Sequence, residues 1–444
     1  MAHSALPGNR GYRSFHRHLL QIKKGAMVTA SARTKGTTKG AAKVEPKGTT
    51  KGAERAVDSS SPKASKRAVV APASSIAAKD LSRRPAYPFT ALVGQHEMQR
   101  GLLIATVDPL VGGVLILGDR GTGKSTAVRA LADVLPEIQT VKGCPYQCDP
   151  AKTAGLCGAC SPEALGSTQP SGRISAETVS PSRPASGISK SLQTSRPVPV
   201  VDLPLGSSED RVLGALDLEK LMTLGEKAFE PGLLAKANRG FLYIDEINLL
   251  EDHLVDLLID AAASGENRIE REGLSIVHPS RFVLVGSGNP EEGELRPQLL
   301  DRFGLAVEVR TPRDLDLRVQ VVLRREAFER DPEAFLQEHA QAQAELRSRL
   351  VSAQKRLSKM ELPASLLRQA ADLCMRLGTD GLRGELSLIR AAKAAAALDG
   401  LKKVTLGLLR EVAPMALRHR LRRDPLDDTD ASARVARVMD EVLV

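Results

Sequence analysis

The sequence contains no tryptophan, and aromatic residues make up only 3% of its 444 positions. Surfaces that stack bases need aromatic platforms, so this scarcity argues against a dedicated single-strand groove. It also means that any core is built from Leu, Val, Ile and Ala, as in helix-rich α/β proteins. Five cysteines in a chain this long do not make a secreted disulfide framework. No stretch approaches 18 consecutive apolar residues, so no helical membrane span is expected. The eight histidines show no HExxH or paired ligand spacing, and neither a Gly-x-Ser-x-Gly elbow nor a Ser/His/Asp order is evident. Nothing here argues for covalent catalysis.

What is present starts with charge, +10 overall but unevenly spread. Residues 1–86 hold 18 Lys/Arg against 4 Asp/Glu, leaving 45 against 49 for the rest. The basicity belongs to a solvated tail and the body is mildly acidic, which argues against nucleic acid as the partner. Residues 1–84, rich in Lys, Gly, Thr, Ser, Ala and Pro, cannot bury enough apolar surface to offset ordering, and disorder is expected. The first residues lack an apolar secretory segment. They resemble either a transit peptide or an extension ahead of a true start at Met27, and a cytoplasmic location is expected.

From about residue 87 the pattern alternates. Helices are expected over 94–107 and 124–135, and apolar strands over 113–117, 198–203, 240–244, 281–286 and 306–309. Such alternation implies a parallel sheet covered by helices on both faces. A breaker-rich stretch over 143–198 reads as a largely irregular insertion. Beyond Pro312 the pattern is helical, over 315–330, 332–357, 363–377, 384–398 and 405–422. The expected domains are a tail (1–84), an α/β nucleotide-binding domain (85–310) and a helical domain (311–444).

Gly118-Asp119-Arg120-Gly121-Thr122-Gly123-Lys124-Ser125, followed by Thr126, matches the phosphate-binding G-x-x-x-x-G-K-[ST] pattern without departure. It follows an apolar strand and opens a helix, so backbone amides and the helix dipole can cradle phosphates. Lys124 should reach the β- and γ-phosphates of ATP, and Ser125 should ligate Mg²⁺. The strand over 240–244 ends in Asp245, suited to holding that Mg²⁺, and Glu246, suited to orienting the attacking water. The bland alternative for both is a pair of solvated acids. Asn289, ending the next strand, could hydrogen-bond the γ-phosphate or the water; Asn-Pro is equally an ordinary turn signal.

Arg302, just ahead of the last strand, could serve as an arginine finger toward a neighbouring subunit, or could simply pair with Asp301. Arg296 is a second candidate. Arg383, opening a helix of the second domain, could lean over the γ-phosphate or be a solvated first turn. Cys144, Cys148, Cys157 and Cys160 could supply four thiolates to Zn²⁺, form a redox-active pair, or have no special role. Cys374, on an apolar helix face, reads as core.

The segments YPFTALVGQ (87–95), GDRGTGKST (118–126), the blocks 229–267 and 270–305, and GLRGELSLIRAAKAAAALDG (381–400) resemble the magnesium chelatase I subunit family, over roughly residues 87–430. The resemblance implies an AAA+ core with hairpin insertions near 211–235 and 266–282, and a helical lid. It implies an ATP-dependent homo-oligomeric ring, a hexamer, that works with D and H subunits to insert Mg²⁺ into protoporphyrin IX. By this likeness Lys124, Asp245, Glu246, Asn289, Arg302 and Arg383 take the roles above. A cobalt chelatase-type ATPase and a MoxR-like remodelling ATPase are the alternatives, with a DNA motor behind them. The long basic tail and the four-cysteine insertion depart from the family pattern.

Overall fold

The computed structural model of the chain describes residues 85–152, 157–160, 190–421 (apart from 226, 272, 273, 290, 292 and 294) and 431–443. The expected tail and the middle of the 143–198 insertion lie outside the described residues.

The centre is a five-stranded sheet of β1 (Gly113–Gly118), β2 (Val200–Leu203), β3 (Phe241–Ile244), β4 (Val283–Gly288) and β5 (Phe303–Val309). The order is β5-β1-β4-β3-β2, with every neighbouring pair parallel. All of β3 and β4 is buried, which is why these strands read as unbroken apolar runs. Three strands extend beyond expectation, β1 by the single residue Gly118. β4 continues to Gly288, bringing Ser287 into the sheet, and β5 begins at Phe303, directly after Arg302.

Among the described residues nine longer helices accompany the sheet: α1 (His96–Val107), α2 (Lys124–Leu131), α3 (Asp252–Ser264), α4 (Leu315–Arg330), α5 (Pro332–Leu357), α6 (Ala364–Leu377), α7 (Arg383–Leu398), α8 (Leu406–Leu417) and α9 (Ala431–Val442). The expected helix over 124–135 tightens into a 3-10 turn at Ala132–Val134, ahead of Pro136. Asp331 caps α5 by accepting from the Ala334 N–H at 3.0 Å, and Pro332 fits the first turn because no partner is needed for its missing N–H.

The insertion is less irregular than its composition suggests, because Gln193–Arg196 pairs antiparallel with Ile138–Val141. Two further hairpins, Gly214–Leu216 with Phe229–Pro231 and Glu266–Arg271 with Leu274–Pro279, stand where the family resemblance places insertions.

Alternating strand residues divide the core. Leu115, Leu242, Ile244 and Phe303 face one cluster with α3, while Val114, Ile116, Val307 and Val309 face another. That second cluster runs on through α1 into Leu350, Leu373, Leu388 and Leu409 of the helical region. Ala391, Ala392 and Ala394–Ala397 of α7 are fully buried, and such small side chains let helices approach closely. Arg100 of α1 clamps the same junction, bonding Asp399 at 2.7 Å and Glu411 at 2.9 Å.

Candidate functional site

Pairing of Leu117 with Gly288 and of Gly286 with Ile244 sets the C-terminal ends of β1, β4 and β3 side by side. Ligands of open α/β sheets bind at such strand ends. Here they open into a cleft of about 390 Å³ lined by Arg120–Thr126, Asp245, Glu246, Ser287, Gly288 and Asn289.

The loop after β1 needs its glycines. At Gly118 (φ 152°) a Cβ would lie 1.9 Å from the Val309 carbonyl oxygen, so no side chain fits. Gly123 (φ 83°) turns left-handed just before α2, which suits successive amides wrapped around an anion. Lys124 Nζ donates to the carbonyls of Gly118 and of Asp119, the latter at 3.1 Å. Thr122 closes the loop on the Asp119 carbonyl at 2.8 Å. The Asp119 carboxylate accepts from the Thr311 hydroxyl at 3.2 Å, tying the loop to the chain beyond β5.

Asp245 is a hub. Its Oδ2 accepts from Ser125 Oγ at 2.9 Å, and its Oδ1 accepts from Tyr243 OH at 2.9 Å and from Ser287 Oγ. Burial alone would raise this carboxyl; the hydrogen bonds from Ser287, Tyr243 and Ser125, with Arg129 nearby, outweigh it and hold the group below its ordinary range. Burial pushes the Tyr243 phenol up to about 12, so it stays a proton donor. Glu246 holds a left-handed backbone (φ 51°, ψ 51°), and its N–H donates to Ser287 Oγ at 3.2 Å. Asn289 both lines the cleft and caps a turn, accepting from the Glu291 N–H at 3.2 Å.

A hydroxyl and a carboxylate 2.9 Å apart, beside an ammonium and a glycine loop, are the donor set that a magnesium–triphosphate complex requires. The residues fit ATP and Mg²⁺.

The three arginines are elsewhere. Arg383 is not in the cleft lining; it pairs with Asp301, whose other oxygen accepts from Arg420 at 2.7 Å. Asp301 is thus engaged by Arg383 and Arg420 rather than by Arg302. Among the described residues no ion pair engages Arg302, which is partly exposed. Arg296 pairs with Asp252 at the start of α3.

Arg420 is nearly buried, also donating to the Phe303 carbonyl at 2.8 Å, and burial followed by the Arg383 charge lowers it to about 10. The four insertion cysteines are brought together, their sulfurs within 4.8 Å of one another, while Cys374 is buried in α6. Burial raises the Cys374 thiol to about 12.

Sequence reasoning missed Tyr243, Ser287 and Arg420. Tyr243 is the one polar side chain in an otherwise apolar strand, which is a usable signal; Ser287 and Arg420 carried none.

A model of "Magnesium chelatase, subunit ChlI" matches residues 219–299, spanning the second hairpin and the Asp245–Glu246 strand end, and an AAA lid domain model matches residues 367–439. The magnesium-chelatase 38 kDa subunit of Acidiphilium rubrum is 62% identical over 353 residues, covering 80% of this chain and 96% of that protein. The corresponding subunit of Rhodobacter capsulatus is 54% identical, covering 83% and 97%. A solved Cytophaga hutchinsonii protein, 15% identical, matches with a TM-score of 0.50 over 79% of this chain and 91% of its own, a likeness of fold alone. With the AAA+ strand order, the phosphate loop and this identity over nearly the whole length of its relatives, the chain belongs to the magnesium chelatase I subunit family.

Proposed function

We propose that this chain is the ATP-hydrolysing motor subunit of magnesium chelatase, coupling turnover to insertion of Mg²⁺ into protoporphyrin IX in chlorophyll or bacteriochlorophyll synthesis. The observation that carries the reading is the Ser125–Asp245 pair beside Lys124 at the mouth of the sheet. Lys124 and the Gly118–Ser125 amides would hold the β- and γ-phosphates, and Ser125 and Asp245 would hold the nucleotide's Mg²⁺. When bound, that cation neutralises phosphate charge. Glu246 orients water and accepts its proton at a carboxylate oxygen; Asn289 aligns the same water. The porphyrin's Mg²⁺ is a substrate and requires no site in this chain.

Residues 85–310 act as the ATPase domain and 311–444 as the lid. Neither Arg302 nor Arg383 lines its own cleft, and Arg302 is left out of the Asp301 ion pairs, which supports a role across a subunit boundary for both. This requires a homo-oligomeric ring, read as a hexamer. Leu315, Val322 and Leu323 of α4, 73%, 64% and 57% exposed, offer an apolar face of the kind a neighbour covers. Family membership supports a D subunit as ring partner and an H subunit as the porphyrin carrier; the reading places the chain in the cytoplasm, and its net-acidic body supports a role without nucleic acid. Among the described residues no helix is long and apolar enough to cross a membrane.

Reconstitution with D and H subunits, followed by porphyrin fluorescence with Mg²⁺ and with Co²⁺, tests the reading. Mg²⁺-porphyrin should form only with all three proteins and ATP, and Lys124→Ala should abolish it. Insertion of Co²⁺ alone, or full activity of Lys124→Ala, would overturn it.

A further inference from the structure

Cys144, Cys148, Cys157 and Cys160 take no part in the nucleotide site. All four are at most 5% exposed, and their sulfurs lie within 4.8 Å of one another. The Cys144 and Cys157 sulfurs are 3.7 Å apart. Tetrahedral zinc bonded to sulfur at about 2.3 Å sets its ligands about 3.8 Å apart, whereas a disulfide needs about 2 Å. We propose that these four cysteines form a structural tetrahedral Zn²⁺ site, which closes the loop after Ile138–Val141 on itself beside the segment leading into β3.

The local backbone is shaped for such a site. The Cys144 N–H bonds the Val141 carbonyl at 3.2 Å, and the Cys160 N–H bonds the Cys157 carbonyl at 2.9 Å, forming two tight turns, the first delivering Cys144 and the second both Cys157 and Cys160. The Cys157 N–H donates to Cys148 Sγ at 3.3 Å, the contact that stabilises an electron-rich sulfur. A redox pair would have to present a sulfur to a partner, and none of these does. Among the described residues, the apolar cluster around the sulfurs adds just Val141 and Tyr146, too little to hold the loop by burial alone.

The clasp would fix polar contacts that reach toward the nucleotide site. Asn238 Nδ2 donates to the Tyr146 carbonyl at 2.5 Å, and Gln147 Nε2 donates to the Lys236 carbonyl at 2.8 Å. Arg239 donates to the Gln139 carbonyl at 2.6 Å, and Tyr146 stacks on His278 with ring centres 4.7 Å apart. Residues 236–239 feed directly into β3, whose end carries Asp245.

The full-length chain, expressed with zinc and iron supplied and washed with EDTA to strip weakly held ions, should retain about one zinc per molecule by elemental analysis. Exchange with Co²⁺ should yield the visible bands of tetrahedral cobalt–thiolate. Cys157→Ser/Cys160→Ser should lose the zinc, and Cys374→Ser should keep it. Wild-type protein without zinc, or holding iron in its place, overturns the proposal. So does zinc undiminished in the double variant, or loss of two or more free thiols when the wild type is kept without reductant. Because the cobalt spectrum is read on wild-type protein, failure of the variant to fold leaves that arm decisive.

Discussion

Ser125 Oγ and Asp245 Oδ2 stand 2.9 Å apart although the two residues are 120 positions apart in the chain. One opens α2 and the other follows β3, and the β1-β4-β3 order closes the gap. The juxtaposition brings two separate motifs together as the proposed cation-binding pair, and the side chains that hold and serve that pair can be tested one by one.

Glu246→Gln keeps the side chain's shape and leaves the backbone bond to Ser287 untouched. Nucleotide binding should stay near wild type while steady-state hydrolysis falls about a hundredfold or more. Calorimetric binding beside a phosphate-release assay checks this, and parallel loss of both quantities would assign Glu246 to binding.

Tyr243→Phe removes the donor that links Asp245, Ser125 and Ser287. The buried oxygens lose a partner, so stability should drop by about 1–2 kcal/mol. The Mg²⁺ concentration for half-maximal hydrolysis should rise several-fold, because Asp245 is less firmly aimed. Urea unfolding and a Mg²⁺ titration measure the two; no change in either would show that the phenol is a bystander.

Arg302→Ala should bind nucleotide normally and lose about a thousandfold in turnover, if the guanidinium acts on a neighbour's nucleotide. Mixed with Glu246→Gln, it should regain part of the activity, since a mixed ring pairs an intact finger with an intact site. Mixtures no more active than their components would place Arg302 in a purely structural role.

Arg420→Ala and Arg310→Ala form a contrasting pair. Arg420 is 6% exposed and bonded to Asp301, whereas Arg310 is 72% exposed and bonded to Glu308. The first should cost about 3 kcal/mol and the second less than about 1 kcal/mol. Equal losses in denaturant unfolding would contradict the burial argument.

His419 is partly buried against the Phe303 carbonyl, with Nε2 donating at 2.9 Å and Arg418 and Arg420 beside it. Desolvation, then the Arg420 charge, lowers it from 6.5 to about 3. Between those values the unfolded chain binds a proton that the folded chain does not, so stability is lost as pH falls below about 6.5. Burial lowers His278 too, with the same sign. The melting temperature should fall between pH 7.5 and 5.5, and His419→Gln should flatten that slope.

The sequence by itself determined the alternation of apolar strands and helices, the phosphate loop and the acidic end of β3, because each is written in neighbouring residues: period, punctuation and spacing. It also showed four cysteines in a row of turns, without deciding what they do. Only the tertiary structure decided that Tyr243 and Ser287 hold Asp245, that Asp301 takes Arg383 and Arg420 while Arg302 stays unpaired with it, and that the four sulfurs converge. Those relations join residues far apart in the chain, and parallel strand register and core packing set them, neither of which leaves a local mark in the order of amino acids.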